Sequence, residues 1–146
     1  MRETAKPDDT DRKIMNLLHT NARMPVAEIG RHISMTQPAV RERIQKLEEQ
    51  GIITAYKAKF DPGKLDRGIQ AFMLFKTVKC REFVRYCESS PEVAELYRIS
   101  GEFNYLLKTR SESMESLAAF QDAMMVYGVS NTLIIMHAHV EDKSPF

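Results

Sequence analysis

Three apolar stripes with helical spacing fill the first third of the chain. Within each stripe the apolar residues recur three or four positions apart, which places them on one face of a helix. The stripes predict helices at about residues 8–21, 25–32 and 36–49. Asp8 to Asp11 offer caps and negative charge at the first helix start, and Gly51 offers a left-handed residue after the third helix.

A short turn, Ser34-Met35, separates the second and third predicted helices. Two short helices, a tight turn and a third helix that carries arginine and lysine are typical of a helix-turn-helix. A generic three-helix bundle has the same apolar pattern, so the pattern alone leaves both interpretations open.

After Gly51 the hydrophobic period changes from that of a helix to that of a strand. Apolar and polar residues alternate from Ile52 to Phe60, which predicts a short strand packed on the helices. Lys57 and Lys59 share its polar face, where they can approach a nucleic-acid backbone or simply face solvent. Turn-forming residues at 61–68 mark the boundary. We therefore expect a winged-type helix-turn-helix domain with a hinge strand at residues 1–60 and a second domain at residues 61–146.

The second half of the chain reads strand, helix, strand, strand, helix, strand. The six predicted elements span residues 69–78, 81–89, 93–100, 104–110, 113–127 and 129–140. This order predicts an α+β domain of the ferredoxin-like βαββαβ type, with two helices on one face of an antiparallel sheet. The uncovered sheet face carries apolar residues such as Phe72 and Leu74, which predicts burial against a second copy of the chain.

The third predicted helix has one apolar side and one polar side. Val40, Ile44 and Leu47 form the apolar stripe, while the polar side carries arginine and glutamine. Arginine and glutamine side chains can contact base edges, and flanking cations suit phosphates, although the same residue types also make an ordinary solvated helix face. The predicted DNA-contacting residues are Thr36, Gln37, Pro38, Arg41, Glu42, Arg43, Gln45, Lys46 and Lys57.

Composition and charge add modest constraints. The chain has 146 residues, 43% hydrophobic and 28% charged, which is typical of a globular protein. Residues 1–60 hold eleven Lys and Arg and eight Asp and Glu, a balance of +3, whereas the remainder holds ten and twelve, a balance of −2. No apolar run approaches the ~20 residues that span a membrane. Two cysteines seven positions apart in a predicted helix suit reduced thiols, so we expect a cytoplasmic protein without membrane partners.

Four stretches of the sequence carry a resemblance to a known family. They are DDTDRKIMNLLHTNAR, AEIGRHI, AVRERIQKLEEQGIITAY and RISGEFNYLLKTRS. From Pro7 to Val140 the chain resembles the Lrp/AsnC (feast/famine) transcription regulators of bacteria and archaea. The resemblance implies a helix-turn-helix reader of double-stranded DNA, joined by a hinge strand to an amino-acid-responsive domain of the RAM/AsnC type. It also implies dimers that assemble further, often to octamers, with a small-molecule effector, usually an amino acid, bound between dimers.

The resemblance also points to effector-binding positions. These are Gly101, Glu102, Phe103, Asn104, Met114, Ile135, Met136 and His137. Many family members have an acidic residue where this chain has Asn104. A carboxylate there could pair with an effector's ammonium group, whereas an amide offers only a neutral hydrogen bond. We therefore expect weak or narrow amino-acid binding, which Asn104→Asp would strengthen or broaden.

Two other functions stay open beside a ligand-tuned regulator. Sirohaem decarboxylases resemble the same family, and in such an enzyme His137 or His139 would act near a tetrapyrrole. An architectural DNA-binding protein would need no effector. The spacing of the two histidines can also serve a metal, but no third ligand is evident in the sequence nearby. The intact third helix, with its arginine and lysine side chains, favours a regulator that is not an enzyme and has no cofactor.

Overall fold

The computed structural model describes residues 6–146, which form two compact units. The first unit runs as far as Lys59 and takes in a second segment, Val140–Phe146. The second unit spans Phe60–His139.

Three helices build the first unit, as the apolar stripes predicted. They are α1 (Asp9–Thr20), α2 (Val26–Ile33) and α3 (Gln37–Glu49). Ile14, Ile29 and Val40, one from each helix, are fully buried together. Gly30 allows the turn before α3 to approach α2, because a Cβ at this position would lie 2.5 Å from the Met35 carbonyl oxygen.

The helix ends follow the local signals, with one exception. Asp8 and Asp11 form a capping box at the start of α1, and Gly51 adopts φ = 68° after α3. Thr36 occupies the N-cap position of α3, but its side chain makes no capping hydrogen bond there. Thr36 therefore holds the N-cap position without the side-chain contact that usually accompanies it.

The predicted strand at residues 52–60 is wrong: within the described chain this segment is not part of a sheet. Burial does not follow its alternation either, because Tyr56 and Phe60 on the apolar side are 46% and 71% exposed. Ile53 joins the helical core, and the Tyr56 hydroxyl donates a hydrogen bond to Glu48 at 2.6 Å. A strand also needs a hydrogen-bonding neighbour, and alternation alone does not supply one.

The C-terminal segment Val140–Phe146 completes the first unit. His19, near the end of α1, donates from Nε2 to the Asp142 carbonyl oxygen at 2.7 Å. One turn earlier, Asn16 accepts a hydrogen bond from the Ser144 hydroxyl. The first unit is thus assembled from two pieces of chain that are far apart in sequence.

The second unit has the predicted ferredoxin-like order of elements. After a short 3₁₀ helix (Pro62–Leu65), the elements are β1 (Ile69–Thr77), α4 (Cys80–Ser89), β2 (Val93–Arg98), β3 (Tyr105–Ser111), α5 (Met114–Met124) and β4 (Gly128–Ile134). The strands lie in the order β2-β3-β1-β4, and every neighbouring pair is antiparallel. The predicted α+β fold class is confirmed.

One face of the sheet packs against α4 and α5. Met73 and Phe75 of β1 are buried there with Phe83 of α4 and Met124 of α5. The rings of Phe75 and Phe83 stack with centroids 4.2 Å apart, a separation at which aromatic pairs attract each other.

The other sheet face lies away from α4 and α5 and combines apolar side chains with polar ones such as Lys108 and Asn131. We call it the open face, and it carries Phe72, Leu74, Tyr97, Leu106, Val129 and Leu133. The strand register places Phe72 opposite Leu133 and Leu74 opposite Leu106, so these side chains form a continuous surface. Phe72 is 38% exposed and Leu133 is 50% exposed.

The last strand is shorter than predicted, because β4 ends at Ile134 and not at Val140. Its partner β1 begins at Ile69, so after the hydrogen bond from the Ile135 N–H to the Gln70 carbonyl oxygen (2.9 Å) there is little strand left to pair with. His137 and His139 consequently lie outside the sheet, although their rings still touch, with centroids 4.6 Å apart.

Candidate DNA-reading and effector sites

Helix α3 is anchored by its apolar side and presents the opposite side to solvent. Val40 and Leu47 are 0% and 3% exposed, which fixes the helix against its neighbours. Arg41 and Gln45 lie on the exposed side, one turn apart. The Gln45 amide donates to Glu49 at 2.8 Å, a surface hydrogen bond that it can exchange for one to a base edge.

Other predicted contact residues surround this pair. Exposed positions at the start of α3 and on its outer side are Thr36, Gln37, Pro38, Glu42 and Lys46. The free Thr36 hydroxyl and the positive end of the helix dipole both suit a phosphate oxygen. The geometry can therefore combine base contacts in the middle of α3 with phosphate contacts at its start.

Lys57 lies on the extended segment that follows α3. The hydrogen bond from Tyr56 to Glu48 holds this segment beside the last turn of the helix. Burial, together with this bond and the Glu48 charge, raises the pKa of Tyr56 to about 12. The phenol therefore stays protonated and keeps donating at neutral pH.

Arg43 is directed differently from the other predicted DNA contacts. Its guanidinium Nη1 donates to Asp8 Oδ2 and to Asp11 Oδ1, each at 2.8 Å. These carboxylates belong to the start of α1, so Arg43 joins α3 to α1 and does not share the surface of Arg41 and Gln45. The backbone hydrogen bond from Asp11 and the bond from Arg43 both hold the pKa of Asp8 below its ordinary value. The Asp8-x-x-Asp11 pattern marked a helix start in the sequence, but it carried no sign of this partner.

The predicted effector positions begin with the turn between β2 and β3. Gly101 adopts φ = 108°, a conformation that favours glycine, and Glu102 is exposed beside it. Phe103 is half-buried. A hydrogen bond from the Ile99 N–H to the Asn104 carbonyl oxygen, 3.1 Å long, closes the turn.

The Asn104 side chain is already engaged within the unit. Its Oδ1 accepts from the Thr77 N–H at 3.0 Å, and its Nδ2 donates to the Thr77 carbonyl oxygen at 2.8 Å. The amide thus extends the β1–β3 pairing by one step beyond Phe75 and Tyr105. Both ends of the Asn104 amide therefore bind Thr77, so an effector that binds this side chain has to displace one of these bonds.

The remaining effector positions lie at the opposite end of the sheet. Asn104 neighbours the Thr77 end of β1, whereas Ile135 bonds to Gln70 near the start of β1. At about 3.3 Å per residue, seven residues of strand separate these ends by roughly 20 Å. Met114, Met136 and His137 belong to the Ile135 end, because α5 follows β3 where Ser111 pairs with Ile69, and the last two residues follow Ile135. A single chain therefore holds the predicted effector positions Asn104 and Ile135 apart, and they do not line one pocket within it.

Within residues 6–146 no helix is long and apolar enough to cross a membrane. Over the same residues, His, Cys, Asp and Glu do not gather in groups of three or more that could hold a metal ion.

The fold and the exposed side of α3 define a class of protein, a helix-turn-helix transcription regulator with a separate ligand-binding domain. Residues 8–48 match the AsnC-type helix-turn-helix domain, and residues 70–145 match the Lrp/AsnC ligand binding domain. The chain belongs to the Lrp/AsnC family of transcriptional regulators, as the resemblance indicated.

Relatives along the whole chain agree with this assignment. The HTH-type transcriptional regulator YezC of Bacillus subtilis is 36% identical over 129 residues, covering 88% of this chain and 93% of the relative. The proline dehydrogenase transcriptional activator of Rhodobacter capsulatus is 33% identical over 147 residues, covering 94% and 96%. Because such relatives are named regulators and the DNA-binding domain is matched, the prediction that the chain is not an enzyme is confirmed.

Solved structures share the fold. Bacillus subtilis LrpC superposes with a TM-score of 0.87 at 29% identity, covering 94% of this chain and 99% of LrpC. The regulator NMB0573 of Neisseria meningitidis, solved as a complex with L-Met, has a TM-score of 0.86 at 24% identity over 93% and 94% of the two chains. At that identity the second likeness extends to the fold alone.

Proposed function

We propose that this regulator reads specific DNA sequences with α3 and that a small molecule, an amino acid in the first instance, tunes its assembly or its DNA binding. The observation that carries the proposal is the geometry of α3. Its apolar side is buried in the first unit, while Arg41 and Gln45 extend from the opposite side together. A bidentate contact from such a side chain to a base discriminates by roughly 1–3 kcal/mol.

A second copy of the chain completes the DNA-binding form in this proposal. One helix covers only a half-site, and a two-fold pair of helices reads two half-sites about one DNA turn apart. The open face supports pairing, because it leaves Phe72, Leu74 and their neighbours in contact with water, and sheets of this kind gain stability when such a face is covered. We infer a homodimer built on this face, and further assembly of dimers towards an octamer.

The effector site is then shared between copies. The turn at residues 101–104 and the segment 135–137 lie at opposite ends of one sheet, so a pocket that uses both takes them from different chains. Backbone N–H groups of the turn can hold a carboxylate. A ligand bound between copies changes the free energy of assembly directly, because it binds the assembled state and not the separated one.

The cytoplasm is the proposed place of action, because the DNA that such a regulator reads lies there. The proposal requires no cofactor and no membrane partner.

Three measurements test this function. Selection of DNA duplexes from a random pool should enrich one two-fold symmetric sequence, and failure to enrich any sequence would refute specific reading.

Light scattering at micromolar concentration should show that the wild-type chain is a dimer or a larger assembly. The Phe72→Glu substitution should shift the assembly towards monomer. A monomeric wild-type chain would refute the open-face interface.

Isothermal titration calorimetry against the twenty amino acids, methionine included, should show a heat of binding for at least one of them. If none of the twenty gives a heat of binding, an amino-acid effector is refuted.

A further inference from the structure

A charged cluster joins the start of α1 to the middle of α3, and we call it the Asp8–Asp11–Arg43 clamp. Asp8 Oδ1 accepts from the Asp11 N–H at 2.8 Å, and Asp11 Oδ2 accepts from the Asp8 N–H at 3.1 Å. These two bonds make the capping box of α1 and use one oxygen of each carboxylate. The two remaining oxygens both accept from Arg43 Nη1 at 2.8 Å. The helix cap therefore holds both oxygens where one guanidinium nitrogen can reach them.

We propose that Arg43 is a positioning residue that sets the rotation of α3 about its own axis, and thereby the direction in which Arg41 and Gln45 face DNA. The inference rests on the proposed function. At about 100° per residue, Arg43 lies some 160° around the helix from Arg41, on the side turned towards α1. Its side chain is 32% exposed and that of Asp11 is 17% exposed, so the clamp lies at the edge of the helical core.

The clamp supplies a directional constraint that the apolar stripe lacks. Burial of Val40 and Leu47 holds α3 against the unit, but hydrophobic contact is non-directional and tolerates a small rotation. Side-chain tips lie about 6 Å from the helix axis, so a rotation of 10° moves them by roughly 1 Å. Hydrogen bonds to base edges span only ~2.7–3.2 Å, so a movement of this size breaks them. Two charge-assisted hydrogen bonds between fixed elements oppose such a movement.

The charge of the clamp argues against a direct role in DNA binding. The clamp itself holds two carboxylates and one guanidinium, and both carboxylates already accept from the Arg43 nitrogen that a phosphate would need. If Arg43 contacted phosphate, the neighbouring carboxylates would weaken DNA binding, and their removal would strengthen it. A positioning role predicts the opposite sign for sequence-specific binding.

The test uses the full chain with Asp8 and Asp11 both changed to Asn. Asparagine is as good an N-cap as aspartate, so α1 keeps its start while both charges are lost. On a duplex that the wild-type chain selects from a random pool, we expect binding about tenfold weaker, the loss of one good base contact. On poly(dI-dC), a non-specific duplex, we expect unchanged or tighter binding. Equal or tighter binding to the selected duplex would overturn the proposal.

Arg43→Met gives an independent measurement, and Lys46→Met serves for comparison because Lys46 is a predicted DNA contact on the same helix. Each phosphate contact contributes about −0.9 to the slope of log affinity against log salt. We expect Arg43→Met to weaken binding to the selected duplex and leave this slope unchanged, whereas a slope smaller by about one would make Arg43 a phosphate contact. Arg43→Lys keeps a cation that can reach both carboxylates and should restore most of the specific binding. If Arg43→Lys is folded by circular dichroism and still does not restore specific binding, that result would also count against the clamp.

The two proposals fail in different ways. A wild-type chain that selects no sequence refutes specific reading, and with it the need to position α3. A wild-type chain that selects a sequence and an Asp8→Asn/Asp11→Asn variant that binds it more tightly refute only the clamp.

Discussion

Replacing Asn104 by aspartate is expected to destabilise the second unit. The change removes the donor that faces the Thr77 carbonyl oxygen at 2.8 Å and puts a carboxylate oxygen in its place, while the bond from the Thr77 N–H at 3.0 Å can persist. A lost hydrogen bond that leaves a part-buried group unsatisfied costs about 1–3 kcal/mol. Repulsion between carboxylate and carbonyl oxygen adds to this cost, so we expect about 2–3 kcal/mol and a thermal midpoint lower by roughly 5–10 °C.

The pH dependence separates charge repulsion from a simple loss of packing. Repulsion favours the protonated acid in the folded state, so the folded pKa of the new carboxyl would be raised above its unfolded value. The destabilisation is then full above the folded pKa and shrinks as the pH falls through it, because the protonated acid can again donate to Thr77.

Urea unfolding at several pH values and fixed protein concentration measures both effects. Asn21→Asp is a matched control, since the Asn21 side chain accepts from the Arg23 N–H at 3.0 Å and a carboxylate keeps that role. Equal stability of the two variants at neutral pH would refute the assignment of Asn104 as a partner of Thr77.

Three further outcomes are expected. Gly128→Ala should lower the free energy of unfolding in urea by about 1–3 kcal/mol, because the new Cβ would lie 2.0 Å from the Lys76 carbonyl oxygen. Gly68→Ala should change stability little, because the nearest atom to its Cβ is 3.5 Å away, and equal losses in the two variants would contradict a steric clash at Gly128. The stability difference between wild type and Asp8→Asn should be present above pH 3.8, the ordinary pKa of an aspartate, and should vanish as the pH falls through the lowered pKa of Asp8 in the folded state. A difference that persists in strong acid would show that it does not come from ionisation of the Asp8 carboxyl. Arg41→Ala should weaken binding to a selected duplex by roughly 1–3 kcal/mol and binding to a scrambled duplex by less, and equal losses in titrations would make it a phosphate contact.

Local signals in the sequence were enough for the helices of the first unit, whereas α5 ends at Met124, three residues before its predicted end. The predicted limits of α3 agree with the structure to within a residue, because caps, apolar spacing and Gly51 all act within one or two turns. The order of strands and helices in the second unit was predictable for a similar reason, since each element carries its own periodicity.

Features set by distant partners were not predictable in the same way. Strand β4 ends where β1 runs out, and the segment at 52–60 alternates without a neighbouring strand. The sequence placed Arg43 and Asn104 among ligand-binding residues by position, whereas their partners Asp8, Asp11 and Thr77 lie 27 to 35 residues away. Helical periodicity did suggest that Arg43 lies on the flank of α3, but it could not identify what lies beside that flank.

The two-piece assembly of the first unit affects how the DNA reader can be studied. A fragment that ends at Lys59 would leave His19 without its bond to Asp142 and Asn16 without its bond to Ser144. Such a fragment is therefore a poor substitute for the intact reader unless residues 140–146 are added back as a peptide or joined by a linker. An affinity tag fused directly after Phe146 would likewise be attached to the DNA-reading unit, although in sequence it follows the ligand-binding domain.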